Sequence, residues 1–381
     1  MTHRIGIAAL SLVPGRPSGA RERLAEGTGR AAERLGGAAR FFVYVPRGFP
    51  ARDLGRLGAA ANVTIVESPF PPGGGLLRRL EERRFLEARA AGDELDVLDV
   101  SPLLAPGEMP EGARLLLTVH DLRAFHGRRP GAVVRRPFIR RALRRAAAVV
   151  AVSEFTAKEI ARVAGVGSTV VPNGVGERFF EPPPAPVDLP FVREPFVLWV
   201  GHLEPRKDPV TMVRAFALLG GGDLSLVMVG AEAGAGRAAR RAIARAPNRE
   251  RISLVPPQSD AALRSLYRRA RAFVVTSRHE GFCIPVLEAM ASGTPVVASL
   301  AGAIPEVGGD AAHYAPPGEP VAFAGAVHRV LRDGPVRAEI VAAGLERARL
   351  YRWDRTAAAL AALYSAHPPR KWCQAPFPSP G

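Results

Sequence analysis

Twelve short apolar runs recur along the 381 residues, most of them separated by longer amphipathic stretches. That alternation is the pattern of a parallel sheet covered by helices on both faces. Seven runs occupy residues 5–12, 39–45, 63–67, 97–100, 114–119, 148–152 and 168–171. A stretch holding Pro182, Pro183, Pro184, Pro186 and Pro190 then removes backbone donors and interrupts both helix and ladder. The pattern restarts at 196–200, 224–229, 252–255, 272–275 and 295–298. The reading is an α/β chain of two Rossmann-like, doubly wound parallel-sheet domains, at residues 1–180 and 196–352, with a proline-rich linker at 181–195. A C-terminal helix at 353–367 is expected to pack back on the first domain, and the proline-rich tail at 368–381 to be disordered.

Composition removes several classes of function. Cys283 and Cys373 are the only cysteines and lie far apart, which leaves no metal-ligand spacing, redox pair or disulfide framework. No metal and no cofactor are expected. Residues 5–13 follow a basic residue as a signal peptide's apolar region would, yet no cleavage pattern follows, and no run is long enough to span a bilayer. The expected location is cytoplasmic, peripheral at most on the inner face of the membrane. A net charge of +16 favours anionic partners without choosing among them.

The most informative stretch runs from Ser277 to Val297. Pro285 suits a first helical turn, which places the helix start near Ile284, Glu280 in the loop before it and Glu288 in its second turn. Both carboxylates then border one site, and the backbone N–H groups of Gly281, Phe282, Cys283 and Ile284 favour an anionic or hydroxyl-rich ligand there.

These residues resemble the E-x(7)-E motif of the retaining glycosyltransferases of family 4, in the form E-G-F-x-x-P-x-x-E-A-M. The resemblance extends to Gly201-His202-Leu203-Glu204-Pro205-Arg206-Lys207-Asp208, Val171-Pro172-Asn173-Gly174-Val175, Val152-Ser153-Glu154-Phe155, Thr118-Val119-His120-Asp121-Leu122 and Gly302-Ala303-Ile304-Pro305-Glu306. It implies the GT-B architecture, with two domains facing across a cleft, the first on the acceptor side and the second holding a nucleotide sugar. It implies Glu280, His120, Arg206 and Lys207 as catalytic residues. Glu288, Gly281, Phe282, Cys283, Ile284, Gly201, Gly19 and Pro256 would bind the donor, and His120, Asp121 and Asn173 would lie on the acceptor side.

Arg206 and Lys207 would stabilise charge on the departing diphosphate without a metal. The Gly201 and His120 motifs are similar to those of bacterial mannosyltransferases of surface-polysaccharide assembly. GDP-mannose is therefore the first donor expected and a UDP-hexose the alternative, with a glycan, lipid-linked in the simplest case, as acceptor. Three positions depart from the family pattern: Ser18-Gly19 replaces Gly-Gly and lacks the aromatic that usually follows, Thr276 replaces proline, and Gly176 replaces an acidic residue.

Arg135-Arg136, Arg140-Arg141 and Arg144-Arg145, with Val134, Phe138, Ile139 and Leu143 between them, predict a basic amphipathic helix able to meet an anionic membrane surface. A second arginine-rich stretch, from Arg78 to Arg89, is interleaved with Glu81, Glu82 and Glu87 and reads as a salt-bridged solvent face. An arginine-rich nucleic-acid binder is the competing class. It would interleave its basic residues with stacking aromatics, which this chain places in apolar runs, so no nucleic acid is expected. A dinucleotide-dependent dehydrogenase would need G-x-G-x-x-G after its first strand, and Gly15 and Gly19 lack that spacing.

Overall fold

A computed structural model describes residues 2–126, 130–183, 185–220 and 222–366. The tail at 368–381, expected to be disordered, lies outside the described residues. All twelve apolar runs form strands and a thirteenth joins them. These are β1 (His3–Ala8), β2 (Ala39–Val45), β3 (Val63–Glu67), β4 (Val97–Val100), β5 (Arg114–Val119), β6 (Ala148–Ala151), β7 (Thr169–Val170), β8 (Phe196–Val200), β9 (Ser225–Val229), β10 (Ile252–Val255), β11 (Ala272–Val275), β12 (Val296–Ser299) and β13 (Ala312–Ala315).

The chain divides into two units. One holds the residues up to Gly174 together with those from Trp353 on, and the other holds Val175–Arg352. Each carries a single all-parallel sheet, in the order β3-β2-β1-β4-β5-β6-β7 in the first and β10-β9-β8-β11-β12-β13 in the second. Both are therefore doubly wound α/β sheets. Helices cover both faces, so a strand such as β2 buries every residue except Arg40, which is why the strands read as continuous apolar runs rather than as alternation.

In the first unit Phe41 and Val43 face one core, shared with Ala31, Ala32, Ala357, Leu360 and Tyr364. Their neighbours Phe42 and Tyr44 face the other, shared with Leu86, Ala90, Ile139, Leu143 and Ile160. The helix Trp353–Ser365 thus belongs to the first unit, where Thr356 donates to the Pro172 carbonyl at 2.8 Å.

Some boundaries differ from the sequence reading for identifiable reasons. β1 ends at Ala8 because the Leu12 N–H turns back to the Ala9 carbonyl, and Ala9, Leu10 and Leu12 are buried as a loop. β13, with only Ala-His-Tyr-Ala, carries too little apolar signal to be seen in advance, yet it pairs with β12 over four residues. The division between units falls after Gly174, ahead of the prolines. Prolines lack a donor but keep their carbonyls, and Arg264 binds those of Glu181 and Pro182 while Ser253 binds that of Phe191, which seats this stretch on the second unit.

The helix Pro130–Arg145 also departs from expectation. Ile139, Ala142 and Leu143 face the core, whereas Val133, Val134 and Phe138 share the solvent side with arginines. In the helix Leu76–Gly92, Arg78 pairs with Glu81 in solvent, but Glu82, the partner of Arg79, is buried, and desolvation raises its pKa.

Candidate active site

In the second sheet β8 and β11 are neighbours whose following helices lead to opposite sides, and such a switch point opens a crevice beyond the strand ends. After β8 the chain passes Gly201, makes a 3-10 turn over Pro205–Lys207 and enters the helix Pro209–Leu218 through Asp208, whose side chain accepts from the Thr211 N–H. A Cβ on Gly230 would stand 1.8 Å from the Gly201 carbonyl oxygen, so only glycine permits this approach of the β9 end to the β8 loop.

The loop after β11 brings Glu280 to meet that turn. Lys207 Nζ lies 2.8 Å from Glu280 Oε1 and Arg206 Nη1 2.7 Å from Oε2, while the Ser277 hydroxyl donates to Oε1 at 2.9 Å. Arg206 is further oriented by Glu204, 2.7 Å from its Nε. Burial alone would raise the Glu280 pKa, but Lys207 and then Arg206 override it and hold the carboxyl at about 2. Burial likewise opposes the charge on Lys207, and Glu280 reverses that, leaving the ammonium pKa raised. At neutral pH this is a carboxylate flanked by two cations. It can accept hydrogen bonds but holds no proton to give; with Glu204 counted the cluster is neutral, two cations against two carboxylates, and it is the N–H groups of Arg206 and Lys207 that an anionic ligand would take over.

Behind Glu280, Gly302 has φ +60°, and a Cβ there would meet the Glu280 carbonyl oxygen at 2.2 Å. The Ala303 N–H donates to that carbonyl at 2.9 Å. Ahead of it, Cys283 adopts φ 84° as N-cap of the helix Ile284–Ala291, a left-handed conformation that a non-glycine residue holds at a cost. Its thiol is buried, and desolvation, followed by the Glu280 charge, pushes it up to about 12, so Cys283 is a packing group rather than a nucleophile. Gly281 and Ile284 are also buried, and the Phe282 ring meets Tyr351 edge-on at 5.7 Å.

Glu288 lies one turn into that helix and accepts a 2.8 Å hydrogen bond from Tyr267. Tyr267 is fully buried, packed edge-on against Phe179 and Phe273. Pro256, just past β10, is exposed and its carbonyl accepts from Gln258. Thr276, where the family pattern has proline, accepts from the Trp199 indole and lies 3.0 and 2.9 Å from the Lys207 and Asp208 carbonyls. The departure therefore ties the end of β11 to the cationic turn.

In the first unit His120 follows β5, half-buried. Burial first, then the Arg23 charge, push its imidazole down to about 4 against the pull of Asp121, so it is neutral at physiological pH. Asp121 pairs with Arg123. Asn173 is buried, and its Oδ1 accepts from Arg23 Nη1 at 3.0 Å, which makes it a packing residue of this unit. Gly19 opens a helix capped by the Ser18 hydroxyl, and the following turns, Arg23–Thr28, widen to π geometry.

The sequence reading missed Ser277, Glu204, Tyr267, Gly302 and Arg23. Gly302 and Glu204 stand inside quoted motifs, so position drew attention to them but not to their roles. Tyr267 and Arg23 carry no local signal, because each acts on a residue far away in sequence.

Two doubly wound parallel-sheet domains on one chain, the second with the ion-paired cluster of Arg206, Lys207 and Glu280 at its switch point, make up the GT-B class of fold. The chain carries glycosyltransferase domains of the family 4 and group 1 types. Residues 22–178 match the Glycosyltransferase Family 4 model and residues 186–347 the Glycosyl transferases group 1 model. Among relatives, it is 33% identical over 198 residues to a D-inositol 3-phosphate glycosyltransferase of Salinispora tropica, covering 47% of this chain and 39% of that one. It is 32% identical over 162 residues to an O-antigen chain mannosyltransferase B of Escherichia coli, covering 42% of each. The matches span less than half the length of these two relatives. Solved structures share the fold: sucrose-phosphate synthase from Thermosynechococcus elongatus has a TM-score of 0.77 at 21% identity, covering 95% of this chain and 98% of that one. Anabaena HepE in complex with UDP-glucose has a TM-score of 0.74 at 18% identity, covering 95% and 99%.

Proposed function

We propose that the chain transfers a hexose, with retention of anomeric configuration and without a metal, from a nucleoside diphosphate sugar to a glycan acceptor, lipid-linked in the simplest case. The observation that carries this reading is the ion-paired cluster of Arg206, Lys207 and Glu280 at the β8–β11 switch point. The incoming diphosphate takes hydrogen bonds from Arg206 and Lys207, and Glu280, freed of part of their charge, accepts from hydroxyls of the hexose. Glu288, held by Tyr267, accepts from the ribose hydroxyls. Gly201, Gly281, Phe282, Cys283, Ile284 and Pro256 line the donor side, and Gly19 is assigned to donor binding by the motif it stands in. His120 and Asp121 serve the acceptor, with Asn173 holding the segment that precedes Gly174.

In the transfer, the bond from the anomeric carbon to the diphosphate oxygen breaks as the acceptor hydroxyl bonds on the same face. The acceptor's proton passes to the departing phosphate oxygen. Neutral His120 orients the hydroxyl and takes no net proton.

GDP-mannose is the first donor, supported by likeness to the Escherichia coli mannosyltransferase, and a UDP-hexose is the second, supported by the UDP-glucose held in Anabaena HepE. The test is a thermal-shift panel with GDP, UDP, ADP, GDP-mannose, UDP-glucose and single-stranded DNA, beside a Glu288→Ala control. Stabilisation by one nucleotide family that is lost in the control supports the reading. A flat response to nucleotides with stabilisation by DNA overturns it in favour of an arginine-rich nucleic-acid binder.

A further inference from the structure

We infer that the outward face of the helix Pro130–Arg145, with the exposed Leu77 in the first turn of the helix Leu76–Gly92, is a docking surface for an anionic lipid bilayer. Val133, Val134 and Phe138 are 45%, 48% and 40% exposed, and Leu77 is 80% exposed. At about 100° per residue, Val133, Val134, Pro137, Phe138, Arg141, Arg144 and Arg145 fall in one arc, with Arg140 at its edge. The face is therefore divided lengthwise, apolar in its first half and cationic in its second.

Both helices lead back from the carboxyl end of one parallel strand to the start of the next, and both bury Leu86, Ala90, Ile139 and Leu143 in the same core. Their first turns accordingly lie at the same edge of the first sheet, the edge that carries His120.

The arginines are held in place. Arg140 Nε donates to the Val163 carbonyl at 2.9 Å and Arg144 Nε to that of Ala164 at 3.0 Å, so the open carbonyls ending the helix Glu154–Ala164 fix both guanidinium groups. Among the described residues none of Arg140, Arg141, Arg144 and Arg145 has a carboxylate partner. Four cations without counter-charge behind an apolar tip match the order of a bilayer surface, with hydrocarbon below and phosphate above. A second copy of this face would bring arginine against arginine, and a nucleic acid would gain nothing from the exposed aliphatic side chains. The surface rests on first-unit geometry alone. Its service to a lipid-linked acceptor rests on the transfer reading.

The test is co-sedimentation of the full chain with phosphatidylglycerol vesicles and with phosphatidylcholine vesicles, at low and high salt. Binding to the anionic vesicles that weakens with salt is expected, with Val134→Asp/Phe138→Asp reducing it by about tenfold or more and Arg141→Ser by about fivefold. Val321→Asp, at a 73% exposed position of the second unit, serves as the control and leaves it unchanged. Equal binding to both vesicle types, no binding to either, or full binding by Val134→Asp/Phe138→Asp overturns the assignment. So does a wild-type dimer in solution that this double variant abolishes. Thermal shift with nucleotides on the same samples separates the two readings, because vesicle binding needs no donor site.

Discussion

Lys207 Nζ and Glu280 Oε1 stand 2.8 Å apart, joining the turn after β8 to the loop after β11 in a pair that is 13% and 8% exposed. Removing the carboxylate leaves Arg206 and Lys207 facing each other without their shared partner. Glu280→Gln is therefore expected to cost about 3 kcal/mol of stability in the free enzyme, as for one lost partner of a buried pair. A bound nucleoside diphosphate restores much of that loss by supplying the missing negative charge. Turnover should fall by roughly 100-fold or more while nucleotide affinity holds or rises. Melting curves with and without nucleotide, beside steady-state kinetics, check this, and unchanged turnover would remove Glu280 from the site.

The same pair sets an acid limit. The Glu280 carboxyl lies at about 2 in the folded chain, below its ordinary value of 4.5, so the unfolded chain binds the proton first. The stability this contributes is complete above about pH 4.5 and is lost as pH falls toward 2. Melting temperatures of Glu280→Gln and of the wild type should therefore converge as pH falls through that window.

Tyr267 donates to Glu288 at 2.8 Å from the helix Asp260–Arg269. Tyr267→Phe keeps the ring packing on Phe179 and Phe273 and removes only the hydroxyl. One hydrogen bond to a charged group is worth about 1.5–3 kcal/mol, so KM for the donor should rise roughly tenfold or more with kcat little changed. Isothermal calorimetry with the preferred nucleotide measures it directly, and an unaltered Kd would detach Tyr267 from donor binding.

Legibility in the sequence followed the range of each interaction. β2, β8 and β11 announce themselves because burial on both faces makes a contiguous apolar run, while β13 is hidden in Ala-His-Tyr-Ala, where two small buried alanines flank the partly buried His313 and Tyr314. Glu280 and Glu288 were visible because their spacing is local to one loop and one helix. Ser277 supports Glu280 from three residues away, but a serine beside a glutamate is too common to signal anything. Tyr267 to Glu288, Arg23 to Asn173 and Tyr364 to Asp99 join residues 21, 150 and 265 apart, distances over which no periodicity carries information. The outward Val134 and Phe138 of the helix Pro130–Arg145 escaped the sequence reading for a related reason: a helical wheel places residues around an axis but does not say which side the sheet will cover.

Gly302 offers a test with an internal control. Gly302 and Gly293 both have positive φ, +60° and +72°, but a Cβ on Gly302 meets the Glu280 backbone while one on Gly293 meets nothing within 4 Å. Gly293→Ala should show the conformational penalty alone, about 1 kcal/mol. Gly302→Ala should cost more in stability and, by moving Glu280, lower turnover severalfold beyond Gly293→Ala. Equal effects in the two variants would mean that Gly302 serves only its own backbone conformation.

His120 supplies the last expectation, and its sign is opposite to that of a histidine stabilised by a carboxylate. Burial and the Arg23 charge put its pKa at about 4 in the folded chain against 6.5 in the free side chain. Between those values the unfolded chain binds the proton and the folded chain does not, so stability rises with pH through that window and falls as pH drops toward 4. His120→Asn should flatten the slope of melting temperature between about pH 4 and 6.5. In turnover, the limb assigned to His120 should lie near pH 4, leaving activity level from pH 5.5 to 7. A limb near 6.5 that vanishes in His120→Asn would show that the imidazole is solvated and charged in the working enzyme, and that it contributes to transfer as an acid rather than as a neutral hydrogen-bonding group.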